Sequence, residues 1–292
     1  MKTAKIGLDL PDLQGKTALI TGASSGIGKV TALELAHLGA EVIMLCRNPE
    51  KAEATRKEII AETGNQNVSV ILADLALMEQ VNKAAEQING QISKLDILVN
   101  NAGLMPGRRR LTSEGIEVAW ATNYLAGFLL TNLLTDKLLA AEAARIVNVS
   151  SEAHRLGQLN LQDLHSPKKY SALTAYADSK LANIFFTYEL ARRLEFTNIT
   201  ANCLHPGVVA TNFASKDAAG YKYLFLLGKP FMTRPEKGAR TQVYLAASPE
   251  VANVTGAYFK NLKPARSSTD SYSPAIARRL WTFSEKQTGL ET

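Results

Sequence analysis

Thr21-Gly22-Ala23-Ser24-Ser25-Gly26-Ile27-Gly28 is the stretch on which the fold turns. The apolar run Thr17-Ala18-Leu19-Ile20 precedes it, and Val30, Leu33, Leu35 and Leu38 follow at roughly helical spacing. The glycines therefore lie where a strand passes into a helix. Gly22 permits a tight turn, Gly26 lets the backbone approach a pyrophosphate, and Gly28 lets the helix lie close on the strand. Free amides at the start of that helix favour an anion. A flexible surface turn is the competing reading of the loop in isolation. The next apolar run, Val42-Ile43-Met44-Leu45-Cys46, weighs against it by supplying the second strand of a βαβ unit.

Outward from that unit, apolar runs and helical patterns keep alternating. Val68 to Ala73, Leu95 to Val99, Arg145 to Val149, Ile199 to Leu204 and the edge pair Tyr258-Phe259 read as further strands. Pro49 to about Thr63, Gly115 to about Ala141 as one long helix, and Tyr176 to about Glu195 read as helices. Thr233-Arg234-Pro235-Glu236 has capping-box spacing before another. A chain of 292 residues, 46% hydrophobic, can bury a full core. The expectation is α/β: a single doubly wound Rossmann domain over 1–292, with a mainly parallel sheet of about seven strands between helices. It includes a substrate-lid region about 212–233 and a C-terminal extension about 261–292.

Composition removes several function classes. Two cysteines, Cys46 and Cys203, fall in predicted strands and read as buried thiols of a reducing compartment. Met1 to Leu13 carries charges and no long apolar core, and no window approaches the roughly 18 apolar residues of a membrane span. A soluble, cytoplasmic chain without a transmembrane segment is expected. The net charge of +6 is modest, and Arg108-Arg109-Arg110 lacks the interleaved aromatics of a nucleic-acid patch, so no nucleic-acid partner is expected. His154 and His165 have no second ligand pair at metal spacing, so no metal is expected.

The chemistry-bearing residues gather at strand ends. After the second strand comes Cys46-Arg47-Asn48, with no carboxylate to bind a free ribose diol and with a guanidinium fork suited to a phosphate. This favours NADP over NAD, against the plainer reading of an arginine that merely follows a strand. Asp74-Leu75 ends the third strand near an adenine edge, and Asn100-Asn101-Ala102-Gly103 ends the fourth. Asn123 interrupts the apolar stretch Trp120 to Leu130, as either a satisfied core asparagine or a site residue. The fifth strand delivers Ser150 and Ser151 to the carboxyl edge where such sheets bind ligands. Of nine tyrosines, Tyr176 is the one with a lysine, Lys180, four residues on and so on the same helical face. A lysine ammonium there favours the phenolate and suits the tyrosine to proton transfer at a carbonyl oxygen.

From about Gly15 to Phe259 the chain resembles the short-chain dehydrogenase/reductase family, because these independent motifs follow one another in that family's order. The resemblance implies that Gly22, Ser24, Ser25, Gly26, Ile27 and Gly28 hold the dinucleotide, with Arg47, Asp74, Leu75, Asn101, Ala102 and Gly103 beside it. It implies a catalytic set of Asn123, Ser151, Tyr176 and Lys180, the last two also touching the cofactor. The choice of Ser151 over Ser150 rests on the family pattern. Pro206, Gly207, Val209 and Thr211 match the nicotinamide-binding turn. The long interval from Ser151 to Tyr176 and the phrase His205-Pro206-Gly207-Val208-Val209 look like the branch of retinol dehydrogenases and WW-domain oxidoreductases.

The expected function is an NADP(H)-dependent oxidoreductase acting on a small-molecule carbonyl or secondary alcohol. A dinucleotide-sensing regulator without turnover is the alternative. The apolar cluster Tyr221, Tyr223, Leu224, Phe225, Leu226 and Leu227 is expected to be a lid over the pocket, with a core helix or subunit contact as the plainer reading. A homo-oligomer is compatible with the resemblance.

Overall fold

The run before the glycine loop folds as β1, Thr17–Thr21, and is buried along its whole length. A strand covered on both faces must send apolar side chains both ways. Leu19 enters the core on one side of the sheet, while Ala18 and Ile20 enter the core on the other. The neighbouring β2, Glu41–Cys46, repeats the division, with Ile43 and Leu45 on the first side and Val42, Met44 and Cys46 on the second. A computed structural model of the chain describes residues 1, 3–161, 170–207 and 233–290. Nearly all of the expected lid region, including Tyr221 to Leu227, lies outside these residues, as do Val209, Thr211 and His165.

The remaining strands are β3 (Val68–Leu72), β4 (Ile97–Asn100), β5 (Ala144–Val149), β6 (Ile199–His205), β7 (Tyr258–Lys260) and β8 (Lys263–Ala265). Their order across the sheet is β3-β2-β1-β4-β5-β6-β7-β8. Every neighbouring pair from β3 to β7 is parallel, and β8 alone runs antiparallel to its neighbour β7. The order reverses between β1 and β4, and the crevice above the carboxyl ends of those strands is where open α/β sheets take their ligands. Among the described residues the sheet thus has eight strands rather than seven, and Tyr258-Phe259 is not its edge. The chain reverses through Asn261 and Leu262, both at positive φ (50° and 66°). A leucine is a poor advertisement for such a turn, which usually carries glycine.

The helices are α1 (Gly26–His37), α2 (Pro49–Thr63), α3 (Met78–Gln91), α4 (Val118–Trp120), α5 (Ala126–Leu133), α6 (Thr135–Leu139), α7 (Ala172–Arg193), α8 (Pro235–Ala247) and α9 (Pro274–Thr288). Helices α1, α2 and α8 contribute to the core on one face of the sheet, and α3, α5 and α7 to the core on the other. Local chemistry sets the limits of α2. Asn48 accepts from the Lys51 amide at 2.8 Å, Pro49 sits where its missing N–H costs nothing, and Gly64 ends the helix at a φ of 75°. Helix α8 starts differently from the capping-box expectation. Pro235 fixes the first helical position, so the cap falls on Arg234, which offers no side-chain acceptor.

The long helix expected from Gly115 to Ala141 is broken. It begins only at Val118, passes through a π-turn at Ala121–Leu125, continues as α5 and breaks again at Leu134 before α6. Glu117 caps its start by accepting from the Trp120 amide at 2.8 Å. The C-terminal segment is integral to the core. Helix α9 lays Trp281 against Phe128 and Phe186, with ring centroids 5.0 and 5.8 Å away, and the Arg193 guanidinium lies 4.0 Å from the Trp281 ring centroid. Tyr124 and Ser284 share a 2.6 Å hydrogen bond, and the Trp120 indole donates to Gln287 at 2.9 Å. Among the described residues, no helix is long and apolar enough to cross a membrane.

Candidate active site

The glycine loop between β1 and α1 is built by close approach. Gly22 and Gly26 both have positive φ, 68° and 57°. A Cβ on Gly28 would come within 2.4 Å of the Asn101 amide nitrogen and 2.6 Å of the Gly22 carbonyl oxygen. Gly28 is therefore needed for contact with the loop itself and with the chain leaving β4, rather than for packing helix on strand. Thr21 ties the two segments together. Its hydroxyl oxygen accepts from the amides of Asn101 and Ala102, each at 2.9 Å, and its carbonyl accepts from the Asn101 side chain at 2.8 Å.

Gln242, on α8, completes this brace from 141 residues away, donating to Asn101 Oδ1 at 3.2 Å and accepting from the Thr31 hydroxyl at 2.9 Å. Asn101 thus engages its side chain in support of the loop. No pattern in the sequence marks Gln242, because its partners Thr31 and Asn101 lie on other elements, far away in the chain.

The loop opens one end of a cleft of about 630 Å³ above the carboxyl ends of the strands. Gly22 and Ser24 to Gly28 line it, together with Arg47, Asp74, Leu75, Asn101 to Gly103, Ser151, Tyr176, Lys180, Pro206 and Gly207. At the β2 end Arg47 Nη1 lies 3.7 Å from Asp74 Oδ2. Lys51 joins them in the cleft wall, a second cation that the sequence reading did not single out. Burial pushes the Cys46 thiol up, so it stays neutral beside them.

At the other end, Asn123 is held by backbone and helix at once. Its Oδ1 accepts from the Leu104 amide at 2.8 Å, and its Nδ2 donates to the Leu104 carbonyl at 2.9 Å and to the Ser179 hydroxyl at 3.0 Å. These bonds, made from inside the π-turn, account for the break in the expected helix. A Cβ on Gly103 would sit 3.3 Å from Lys180 Nζ and 3.5 Å from Asn123 Oδ1, so this end of the motif lies close against both side chains.

The two serines after β5 are distinct. Ser150 is buried and donates its hydroxyl to the Lys180 carbonyl at 2.7 Å, which fastens β5 to α7. Ser151 faces the cleft, accepts from the Ala153 amide at 3.2 Å, and hydrogen-bonds the Tyr176 hydroxyl. Lys180 Nζ donates to the Val149 carbonyl at 2.8 Å. Burial pushes the Tyr176 phenol up to about 12, the Ser151 bond opposing it, and burial pushes Lys180 down to about 7. The tyrosine therefore moves the opposite way from the expectation for a Tyr-Lys pair, because desolvation of both groups outweighs their attraction.

Two further groups belong to the cleft wall. His205 accepts from the Glu152 amide at 3.2 Å through Nδ1, and burial lowers its pKa to about 4, so it is neutral at physiological pH. The buried Thr122 hydroxyl has no partner among the described residues.

The glycines that a Cβ would obstruct, the helix start at α1, and cations at the β2 end together fit an elongated dinucleotide with its phosphates at the loop.

Comparison with known proteins agrees with this geometry. The model of the short chain dehydrogenase family matches residues 16–222. Human retinol dehydrogenase 13 is 42% identical over 285 residues, covering 96% of this chain and 86% of its own. The crystal structure of an uncharacterised protein from Mycobacterium Paratuberculosis superposes with a TM-score of 0.79 at 35% identity, covering 97% of both chains. A short chain dehydrogenase from Escherichia coli CFT073, solved in complex with NADPH, gives a TM-score of 0.70 at 25% identity, covering 88% of this chain and 100% of that one. The chain belongs to the short-chain dehydrogenase/reductase family, on its retinol dehydrogenase branch.

Proposed function

We infer that the chain is an NADP(H)-dependent oxidoreductase that interconverts an apolar carbonyl compound and its alcohol, with Tyr176 as the proton donor and acceptor. The observation that carries this reading is the Tyr176 hydroxyl, hydrogen-bonded to Ser151 at the cleft, with Lys180 one helical turn further on. The dinucleotide, when bound, supplies or accepts the hydride. Gly22 to Gly28 would hold its pyrophosphate, Arg47 and Lys51 its 2′-phosphate, and Lys180 its nicotinamide ribose.

In the reducing direction Tyr176 gives its proton to the carbonyl oxygen, while the Ser151 hydroxyl donates a hydrogen bond to the same oxygen. Burial keeps the phenol protonated through the neutral range, which suits it to act as an acid. In the oxidising direction Tyr176 must accept the proton, and a charged Lys180 then lowers the cost of the phenolate. Asn123 holds Leu104 and Ser179 in place and so fixes the floor beneath them.

Apolar side chains at Leu104, Met105 and Leu173 line the cleft and support an apolar substrate. Because relatives bear the name retinol dehydrogenase, long apolar aldehydes such as retinal belong in the panel to be tried. The test is consumption of NADPH and of NADH over a graded series of aldehydes, cyclic ketones and retinal. Turnover with NADPH on the larger apolar members is expected. Tight NADPH binding with no turnover on any member would favour a dinucleotide-sensing regulator instead.

A further inference from the structure

Asn183 lies three residues beyond Lys180 on α7 and is 6% exposed. Its side-chain amide nitrogen donates to the carbonyl oxygen of Asn123 at 3.0 Å and lies 3.4 Å from the carbonyl oxygen of Val149. The Val149 carbonyl is the one that also accepts from Lys180 Nζ, at 2.8 Å. One amide group therefore reaches both the main chain of the π-turn and the acceptor on which the lysine rests. Both of its partners are acceptors, so the amide must present nitrogen to them; an oxygen there would face lone pairs on both sides.

Main-chain carbonyls in this interior cannot turn to water, so each needs a protein donor. Asn123 O receives one from Asn183. Val149 O, at the end of β5, receives one from Lys180 and a longer, weaker one from Asn183. Moving Asn183 would leave the π-turn tied to α7 through the Asn123–Ser179 side-chain bond, free its main chain from that helix, and leave Val149 O to the lysine alone. Tyr176 is the titratable group that faces Lys180, and burial is the cause of the lysine's lowered pKa.

We propose that Asn183 is a positioning residue which, by bridging Asn123 O and Val149 O, sets the place of the Lys180 ammonium relative to the Asn123 turn and the Tyr176 hydroxyl. This rests on the reading of Tyr176 and Lys180 given above. It assigns to Asn183 an action on proton transfer through Lys180, without contact with the reacting atoms.

The test uses the full chain, labelled with nitrogen-15 at lysine and asparagine side chains and free of cofactor, followed by NMR against pH. Lys180→Arg identifies the lysine signal. In the wild-type chain the Asn183 amide signals should shift with the same midpoint as Lys180. Asn183→Leu keeps the volume and removes the bridge, and Asn183→Ala opens the site to water. Asn183→Ala, which lets water reach Lys180, should raise the Lys180 midpoint by about one pH unit or more; Asn183→Leu, which keeps the burial and only frees the Val149 carbonyl for the ammonium, should move it in the same direction by less. On a carbonyl compound that the wild-type chain reduces, both should lower kcat by about tenfold or more, with a smaller change in KM.

An unchanged Lys180 midpoint in folded variants would overturn the proposal and leave Asn183 a packing residue. If both variants fail to fold, the wild-type titration decides, and Asn183 signals indifferent to Lys180 would overturn it. If the wild-type chain reduces nothing in the panel, the oxidoreductase reading falls, and the Lys180 midpoint still decides the bridge.

Discussion

Arg47 Nη1 and Asp74 Oδ2 face each other at 3.7 Å across the mouth of the cleft, from the ends of the adjacent strands β2 and β3. The arginine side chain is 68% exposed, so the pair contributes little to stability, about 0 to 1 kcal/mol. Its consequence is for recognition. Arg47 and Lys51 leave positive charge at the end of the cleft, while the Asp74 carboxylate is turned to the guanidinium and to the amide of Ala76, 3.0 Å from its Oδ1.

Replacing Arg47 by Ala should weaken NADPH about tenfold or more, since a charge-assisted hydrogen bond is worth about 1.5 to 3 kcal/mol, and should leave NADH nearly unchanged. Lys51→Ala should act in the same sense and more weakly. Fluorescence titration of both cofactors measures this. Equal losses for NADPH and NADH would mean that neither cation reads the 2′-phosphate.

The serines separate stability from turnover. Ser150→Ala removes a buried bond to the Lys180 carbonyl and should cost about 1 to 3 kcal/mol in urea unfolding, because that carbonyl loses a partner. Ser151→Ala loses the cap on the Ala153 amide, should cost only about 0.5 to 1 kcal/mol in unfolding, and should lower kcat by about a hundredfold. A reversed pattern would assign the substrate-facing hydroxyl to Ser150.

Much of this arrangement was legible in the sequence, and the illegible parts share a cause. Glycine loop, alternating strands and the Tyr176-Lys180 pair were visible because each is a pattern within one short segment, set by helical or strand periodicity. The π-turn at Asn123 was not, because the helix breaks to satisfy partners on Leu104, Ser179 and Asn183 that no local pattern announces. Gln242 was missed for the same reason. The eighth strand escaped because its hairpin uses Asn261-Leu262 where an Asn-Gly pair would have signalled a turn. The upward shift of Tyr176 escaped because spacing shows the lysine's proximity but not the burial that opposes it.

Gln242→Leu should show what that brace is worth. It strips the Thr31 hydroxyl and Asn101 Oδ1 of partners, and should cost about 1 to 3 kcal/mol of stability. With Asn101 less firmly held, NADPH and NADH should weaken together by a similar factor. Calorimetric titration of each cofactor distinguishes this from the Arg47 effect, which falls on NADPH alone.

Asp178 supplies a pH-dependent case. Burial raises its carboxyl from the ordinary aspartate range to about 6, while the Gln158 amide, 2.7 Å from Oδ1, opposes the rise. The unfolded chain releases this proton near pH 4 and the folded chain near pH 6, so stability from this group falls as pH rises through that window. Above pH 6 the full cost is present. Asp178→Asn keeps an acceptor for Gln158 and should stabilise the protein at pH 7.5 by roughly 1 to 3 kcal/mol, with little effect near pH 4. Urea melts at the two pH values check it, and destabilisation at both would show that the carboxylate charge is useful to the fold.

The proton step is reached most directly through Tyr176→Phe. The variant keeps the ring beside Lys180, 5.7 Å from Nζ to the ring centroid, and removes only the hydroxyl that meets Ser151. The measurement is the single-turnover rate of NADPH oxidation on a substrate the wild-type chain reduces, with NADPH affinity titrated on the same sample. The rate should fall by about 10² to 10⁴ while the dissociation constant changes by no more than about twofold. A variant that retained its rate within about tenfold would show that the proton comes from elsewhere.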